Sequence, residues 1–399
     1  MDFEPEGDAP ELKAFREEAR AWVKANSKGV GSPSDARVPD WEQLKRNRAF
    51  LNKLRAKGWY LPAFPKEYGG SGLSPAHADV LDEELHHNIK HMYNVRLQGD
   101  IGIAMARSTM VYGTEEQKKR WVPLVATGDV VMWELYSEPD AGSDLPSLKS
   151  TAVKDGNEYV INGAKTWVGG YPMPDWMHVL AITNPERGRH KNLSMIMAPG
   201  NAKGVKMEAI DMLAGNERRT VYFDNVRAPQ SNIIGKEGDG WSIFAGPYPG
   251  APYVGSHFIL EGKDFLAELF TYCRAHRRNG KPLTEDPQIR DLLAQLYVDI
   301  KQMEALRTRN TWMAKKRIRM TYHSNQATML SKLFDAHMSQ VMLQAMGPMA
   351  VISDAELAPI EGDMEYFHRH SILMLHPGGT VEVQKIRIFR GMLESYPAS

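Results

Sequence analysis

The apolar residues of this chain change their period twice, and that change limits the architecture more than any other feature. They recur at helical spacing from 10 to 128, alternate from about 130 to 236, and return to helical spacing from about 254 to 395. A helix repeats its face every ~3.6 residues and a strand every ~2, so each switch marks a new kind of structure. In the first segment, "ELKAFREEARAWVKAN" puts Leu12, Phe15, Ala19 and Val23 on one face, with acids early and lysines late, as the helix dipole favours. Further helices are predicted at about 40–57, 76–92, 98–112 and 115–127, around a Pro- and Gly-dense surface loop, "PAFPKEYGGSGLSP". In the middle, "STAVKDGNEYVINGAKTWVGG" is two alternating runs around a DGN turn, followed by the strand-length runs "HVLAIT", "LSMIMAP", "VKMEAI" and "RTVYFDNV". The last segment predicts helices at 258–276, 287–319, 324–346 and 380–393. The pattern predicts an α+β chain with a helical domain over 1–128, a small antiparallel β domain over 129–236 and a helix bundle over 237–399.

One segment resists this periodicity. "AGPYPGAPYVGSHF", residues 245–258, crowds prolines and glycines in front of a long helical run. A proline inside a helix costs about 3 kcal/mol, so these residues form a shaped entrance to the helix that follows.

Composition narrows the function. The chain of 399 residues balances 49 basic against 49 acidic side chains and is 42% hydrophobic, so no global charge points to nucleic acid or a membrane surface. Its one cysteine, Cys273, excludes an internal disulfide framework and a cysteine-cluster metal site. The acidic start and the lack of an apolar run of about 18 residues lead us to expect a cytoplasmic protein.

Chemistry concentrates in "WELYSEPDAGSD", residues 133–144, where hydroxyls and small residues surround a Pro-Asp-Ala-Gly turn. Backbone amides freed by such a turn, with Ser137 and Ser143, suit anionic or heterocyclic groups. Together with "NGAKTWV", the preceding "YGTEEQKKRWVP", "GWSI" after "GKEGD", "RRNGKPLTEDPQIRDLLAQL" and the terminal "GGTVEVQKIRI", this stretch resembles the acyl-CoA dehydrogenase family. The likeness runs through nearly the whole chain in the family's order. The "GKPLTEDPQIR" form is most similar to the branch that includes bacterial steroid side-chain dehydrogenases, some of which work as heteromers.

The resemblance implies a central β-barrel, a C-terminal four-helix bundle, usually a tetramer, FAD at a subunit interface, an acyl-CoA substrate, and an electron-transfer flavoprotein or similar acceptor. It implies that Glu134, Leu135, Tyr136, Ser137, Gly142 and Ser143 line the flavin and its pyrophosphate, with Trp167 packed on the ring and Gly169 nearby. Arg277 or Arg278 of a neighbouring subunit would reach the pyrophosphate, while Gln344, Gly347, Gly379 and Thr380 would contact the adenosine half. Ser143, Arg96 and Tyr248 are the expected substrate contacts.

The family reaction, α,β-desaturation, needs a carboxylate to take the proton alpha to the thioester. At the family's two positions for it this chain has Ala251 and Gly378. Pro252 stands where an arginine often follows, and Gly169 stands where a Thr or Ser usually serves the flavin. Glu134, His376 and Glu261 are the candidates for a relocated base, Glu134 having the merit of lying in the flavin-lining motif, whereas Glu382 matches a non-catalytic family position. Two other readings stay open: a flavin-binding subunit whose partner supplies the base, and a redox-neutral elimination in which Arg96 holds an anionic group. A DNA-binding flavoprotein is the alternative of a different class, weighed on "KKRIR" at 315–319 and set aside, since such a run at a helix end ordinarily complements the helix dipole as solvated surface and the chain carries no net charge. His87 and His91 have the spacing of a metal pair but no evident third ligand, so no metal site is expected.

Overall fold

The computed structural model describes residues 9–31, 41–89, 92, 95, 101–128, 130–169, 173–214, 218–246, 256–353 and 356–395. Arg96, His91, Tyr248, Ala251 and Pro252 lie outside them, as do the side chain of Glu261 and most of the breaker-rich segment. The chain divides into two compact units, one of Met1–Arg20, Asp82–His91 and Pro252–Ser399, the other of Ala21–Leu81 and Met92–Ala251.

Helices α1 (Pro10–Asn26), α2 (Trp41–Ala56), α3 (Pro75–Asn88), α4 (Ile101–Tyr112) and α5 (Glu115–Thr127) occupy the predicted N-terminal stretches, with α1 and α3 each contributing to both units. The "TEEQ" of the family-like motif is the start signal of α5. The Thr114 hydroxyl accepts from the Gln117 amide at 3.3 Å while the Gln117 side chain accepts from the Thr114 amide at 3.1 Å, so two amides without helical partners are satisfied together.

The β unit carries β1 (Met132–Leu135), β2 (Thr151–Asp155), β3 (Glu158–Val168), β4 (Trp176–Ile182), β5 (Leu193–Pro199), β6 (Val205–Ile210), β7 (Arg218–Pro229) and β8 (Ile233–Ile234). Strand order is β6-β7-β3-β2-β4-β5-β8, with β1 added alongside β4. The antiparallel expectation needs one correction: β1 and β2 each pair with β4 in parallel. Four-residue β1 has no alternation long enough to read from sequence, and its partner lies some forty residues on. The core of this unit gathers Trp133, Leu135, Ile161, Met177, Val179, Ile196, Val221 and Phe223. The short helix α6 (Gly240–Ala245) follows the strands.

In the other unit, α7 (Ser256–Ala275), α8 (Pro287–Lys315), α9 (His323–Met346), α10 (Asp363–Met374) and α11 (Val381–Ser395) form the bundle, with a small hairpin of β9 (Arg277–Arg278) and β10 (Lys281–Pro282). Helix α10 is an addition to the four predicted stretches; its "DMEYFHRHSILM" interleaves charged and aromatic residues and hides the apolar stripe. The "TEDPQIR" motif starts α8: the Asp286 carboxylate accepts from the Gln288 amide at 2.9 Å, and Pro287 takes the first turn, where no donor is lost. Leu269, Leu296, Ile300, Phe334, Met338 and Met342 are among the core of this unit, the flexible methionines filling gaps between the helices.

Candidate functional site

The loop after β1 is built on a buried ion pair. Glu138 and Ala141 exchange backbone hydrogen bonds at 3.0 and 3.1 Å, closing a turn over Pro139 and Asp140. The Glu138 carboxylate accepts from the amides of Lys149 at 2.7 Å and Ser150 at 2.9 Å and from Lys165 Nζ at 2.8 Å. Lys165, fully buried in β3, also donates to the Tyr136 carbonyl at 3.0 Å. Burial alone would raise the Glu138 carboxyl, but Lys165 and the two amides hold it below its ordinary range. The same burial lowers the Lys165 ammonium to about 8, with Glu138 acting against that shift. The loop between these anchors is thereby held, with Gly142 and Ser143 exposed beyond the turn.

On β3, the Thr166 amide donates to the Ser137 carbonyl at 2.9 Å, which places the expected flavin-lining loop beside Trp167. The β3–β7 ladder is irregular between Lys165 and Val168. That bulge gives Trp167 a φ of 62° and leaves the indole 59% exposed, a presentation that neither burial nor backbone preference favours. Gly169, at φ 74°, explains one departure from the family. A Cβ there would sit 2.5 Å from the buried Trp133 ring, so no Thr or Ser fits while Trp133 is present.

Glu134 stands opposite His178 on β4. Burial pushes its carboxyl up to about 7, while a hydrogen bond from the Tyr136 hydroxyl pulls the other way. That hydroxyl also lies 3.1 Å from Nδ1 of His178, whose burial drives its pKa down to about 3, so the imidazole is neutral.

The bundle unit assembles the other expected residues. Arg278 donates to the Gln344 carbonyl at 3.3 Å and lies 3.5 Å from Asp286, so two predicted contacts meet; Gly347 follows at the end of α9. Arg277 instead donates to Gly280 of its own hairpin at 3.0 Å. Ahead of α11, the loop of Gly378, Gly379 and Thr380 is clamped from within. Gln384 Nε2 donates to the carbonyls of Gly378 and Gly379 at 3.0 and 3.3 Å, and Lys332 Nζ to those of Met374 and Pro377 at 2.8 and 2.6 Å. His376 is exposed, with Nδ1 3.4 Å from the Leu373 carbonyl. His87 is exposed on α3, and the described residues contain no group of three His, Cys, Asp or Glu able to hold a metal. No described helix is long and apolar enough to cross a membrane.

Glu138, Lys165, His178, Lys332 and Asp335 were not singled out from the sequence. Lys165 did carry a signal, a cation at the same parity as the buried Tyr159 and Ile161 of its strand. Lys332 lies mid-helix and carried none.

Three family models match the chain in succession: acyl-CoA dehydrogenase N-terminal domain over residues 9–129, middle domain over 134–226 and C-terminal domain over 254–393. The acyl-CoA dehydrogenase IpdE1 of Mycobacterium tuberculosis is 30% identical over 311 residues, covering 74% of this chain and 76% of the relative. The acyl-CoA dehydrogenase FadE26 of the same organism is 26% identical over 357 residues, covering 85% of each. Among solved structures, the Tcur3481-Tcur3483 steroid ACAD superposes with a TM-score of 0.81 at 26% identity over 100% of both chains. The ChsE4-ChsE5 complex from Mycobacterium tuberculosis gives 0.81 at 24% identity over 99% of this chain and 100% of that one, a likeness of fold.

Proposed function

Because this chain belongs to the acyl-CoA dehydrogenase family of FAD-dependent oxidoreductases acting on CH–CH bonds, we propose that it binds FAD and an acyl-CoA thioester and carries out α,β-desaturation. The observation that carries this reading is the Glu134–Ser143 loop, anchored by the Glu138–Lys165 pair beside an exposed Trp167. The residues present fit FAD: the indole of Trp167 offers a flat apolar face, a Cβ at Gly142 would meet nothing within 4 Å, and Ser137 and Ser143 supply hydroxyls on the same loop. From a neighbouring subunit Arg278 would reach its pyrophosphate, and Gln344, Gly347, Gly379 and Thr380 are the residues that would contact the adenosine half. Bound FAD supplies the acceptor for the hydride leaving the β carbon, and an electron-transfer flavoprotein or similar protein takes the electrons onward.

The chain's own task is to take the α proton. Glu134 is the acid at the head of the flavin-lining segment that no cation engages among the described residues, and a carboxyl raised by burial to about 7 is matched to proton abstraction at neutral pH. A second reading is supported by Gly378, which brings no side chain to one of the family's base positions, and by the similar steroid ACAD named for two components. On that reading this chain is the flavin-binding subunit, a related partner supplies the carboxylate, and the acyl group is bulky and ring-containing.

Anaerobic addition of acyl-CoA thioesters, including steroid side-chain thioesters, to the purified protein tests both readings through its visible spectrum. Flavin bleaching by this chain alone, lost in Glu134→Gln, supports Glu134 as base. Bleaching that appears only with a related partner chain, and survives Glu134→Gln, supports the heteromer. Failure to retain flavin with or without such a partner overturns the proposal.

A further inference from the structure

Strand β3 turns Trp167 outward by breaking its own alternation. Tyr159, Ile161 and Lys165 share one parity and are buried, and an unbroken pleat would send Trp167 the same way. Lys165 pairs with Val221 and Val168 with Arg219, so three steps along β3 run against two along β7. That one extra residue reverses the parity: Thr166 and Val168 are buried, and the indole between them is exposed.

A register without the extra residue would bury an indole and free a bulky residue from its left-handed φ, so the observed register has to be held by bonds around it. Three such bonds flank Trp167. On one side the Thr166 amide donates to the Ser137 carbonyl at 2.9 Å. The Thr166 and Thr220 hydroxyls lie 3.0 Å apart, and Thr220 is the single β7 residue opposite both Thr166 and Trp167. On the other side the shifted register brings Arg218 level with Gly169, and Arg218 Nη1 donates to the Gly169 carbonyl. The guanidinium makes that bond charge-assisted.

We propose that Arg218 and Thr220 are positioning residues that lock the β3 bulge in the register turning Trp167 outward, so that the flavin ring meets a face already formed. The consequence for the cofactor rests on the reading of Trp167 as the flavin's packing face; the lock itself does not. A preformed face spares binding the ordering of an indole, so loss of the lock should reach FAD affinity only through Trp167.

The test is a double-mutant cycle on FAD affinity in the full-length chain, with any partner, read from the recovery of free-flavin fluorescence on dilution. Arg218→Met should weaken FAD binding about tenfold, and Arg218→Lys, which keeps one charged donor, should recover most of that loss. Thr220→Val, which removes one hydroxyl of the pair, should weaken it about threefold. In a Trp167→Ala background both effects should shrink below about twofold. Equal factors with and without Trp167 would show a merely structural role and overturn the proposal; the Thr220 pair decides alone if Arg218→Met does not fold. Fluorine NMR of the chain carrying 5-fluorotryptophan follows the lock directly, through the resonance that disappears in Trp167→Phe. That resonance should shift or split in Arg218→Met and Thr220→Val, and an unchanged resonance in both overturns the lock. Unchanged FAD affinity in Trp167→Ala would remove Trp167 from cofactor binding, while the fluorine spectrum would still decide the lock.

Discussion

Two buried lysines hold the two loops assigned to the cofactor, and they are compensated differently. Lys165 in the β unit is 0% exposed and binds one carbonyl and one carboxylate, whereas Lys332 in the bundle is 6% exposed and binds two carbonyls. The acids differ in step. Glu138 receives a cation and two amides and is held ionised, while Asp335, one turn from Lys332 on α9, is pushed up to about 7 by burial that Lys332 only partly offsets. A buried charge is tolerable when its partner and its remaining hydrogen bonds are all present. The β unit meets that condition with a full ion pair; the bundle meets it by surrounding a cation with carbonyl dipoles and leaving its acid close to neutral.

The largest effect should come from removing the cations. Lys165→Met strands an ionised Glu138 and should cost about 3–5 kcal/mol in denaturant unfolding, with loss of flavin. Lys332→Met strands carbonyls beside an acid already close to neutral and should cost about 1–3 kcal/mol. Equal losses would mean that the carbonyl cage carries as much charge compensation as the ion pair, and the contrast would fail.

Glycine substitutions should sharpen it at a smaller scale. Gly169→Ala meets both a left-handed φ and the Trp133 ring, while Gly378→Ala, at φ 70° with nothing within 4 Å of its Cβ, meets only the backbone strain. We expect thermal unfolding to show about 1–3 kcal/mol for the first, and about 1 kcal/mol for the second. A smaller loss at Gly169 would show that Trp133 yields its place.

The smallest expected effect is a slope. The folded-state pKa of Asp335 lies near 7, above its ordinary value of 3.8, so the folded protein holds that proton between those limits and loses stability as pH rises through them. Asp335→Asn should flatten the decline in melting temperature between pH 5 and pH 8. An unchanged slope would show that Asp335 is ionised and the two acids alike.

Much of the fold was legible because it is written in local periods. The helices at 101–112 and 115–127 and the hairpin of β2 and β3 follow from residues within one turn or one pleat of each other. The family motifs were legible for a related reason: "TEEQ" and "TEDPQIR" are start signals whose donors and acceptors lie within three residues, and "EPDAG" closes a four-residue turn. Lys165 was half legible, since strand alternation turns it inward without saying what meets it. Helix α10 was missed where mixed charges blurred the period.

What the tertiary structure decided are the pairings between distant segments. Only it sets β1 against β4, Trp133 against Gly169, Tyr136 against His178, and Lys332 beneath the loop at 374–377. By itself the sequence determined the order of helical and β segments and the starts of several helices, because propensity, period and capping act over a few residues. The protonation of Glu134 and Asp335 depends on burial, and the ion pair under the flavin-lining loop and the absence of room for a side chain at Gly169 depend on partners 27 and about 36 residues away in sequence, which no local pattern encodes.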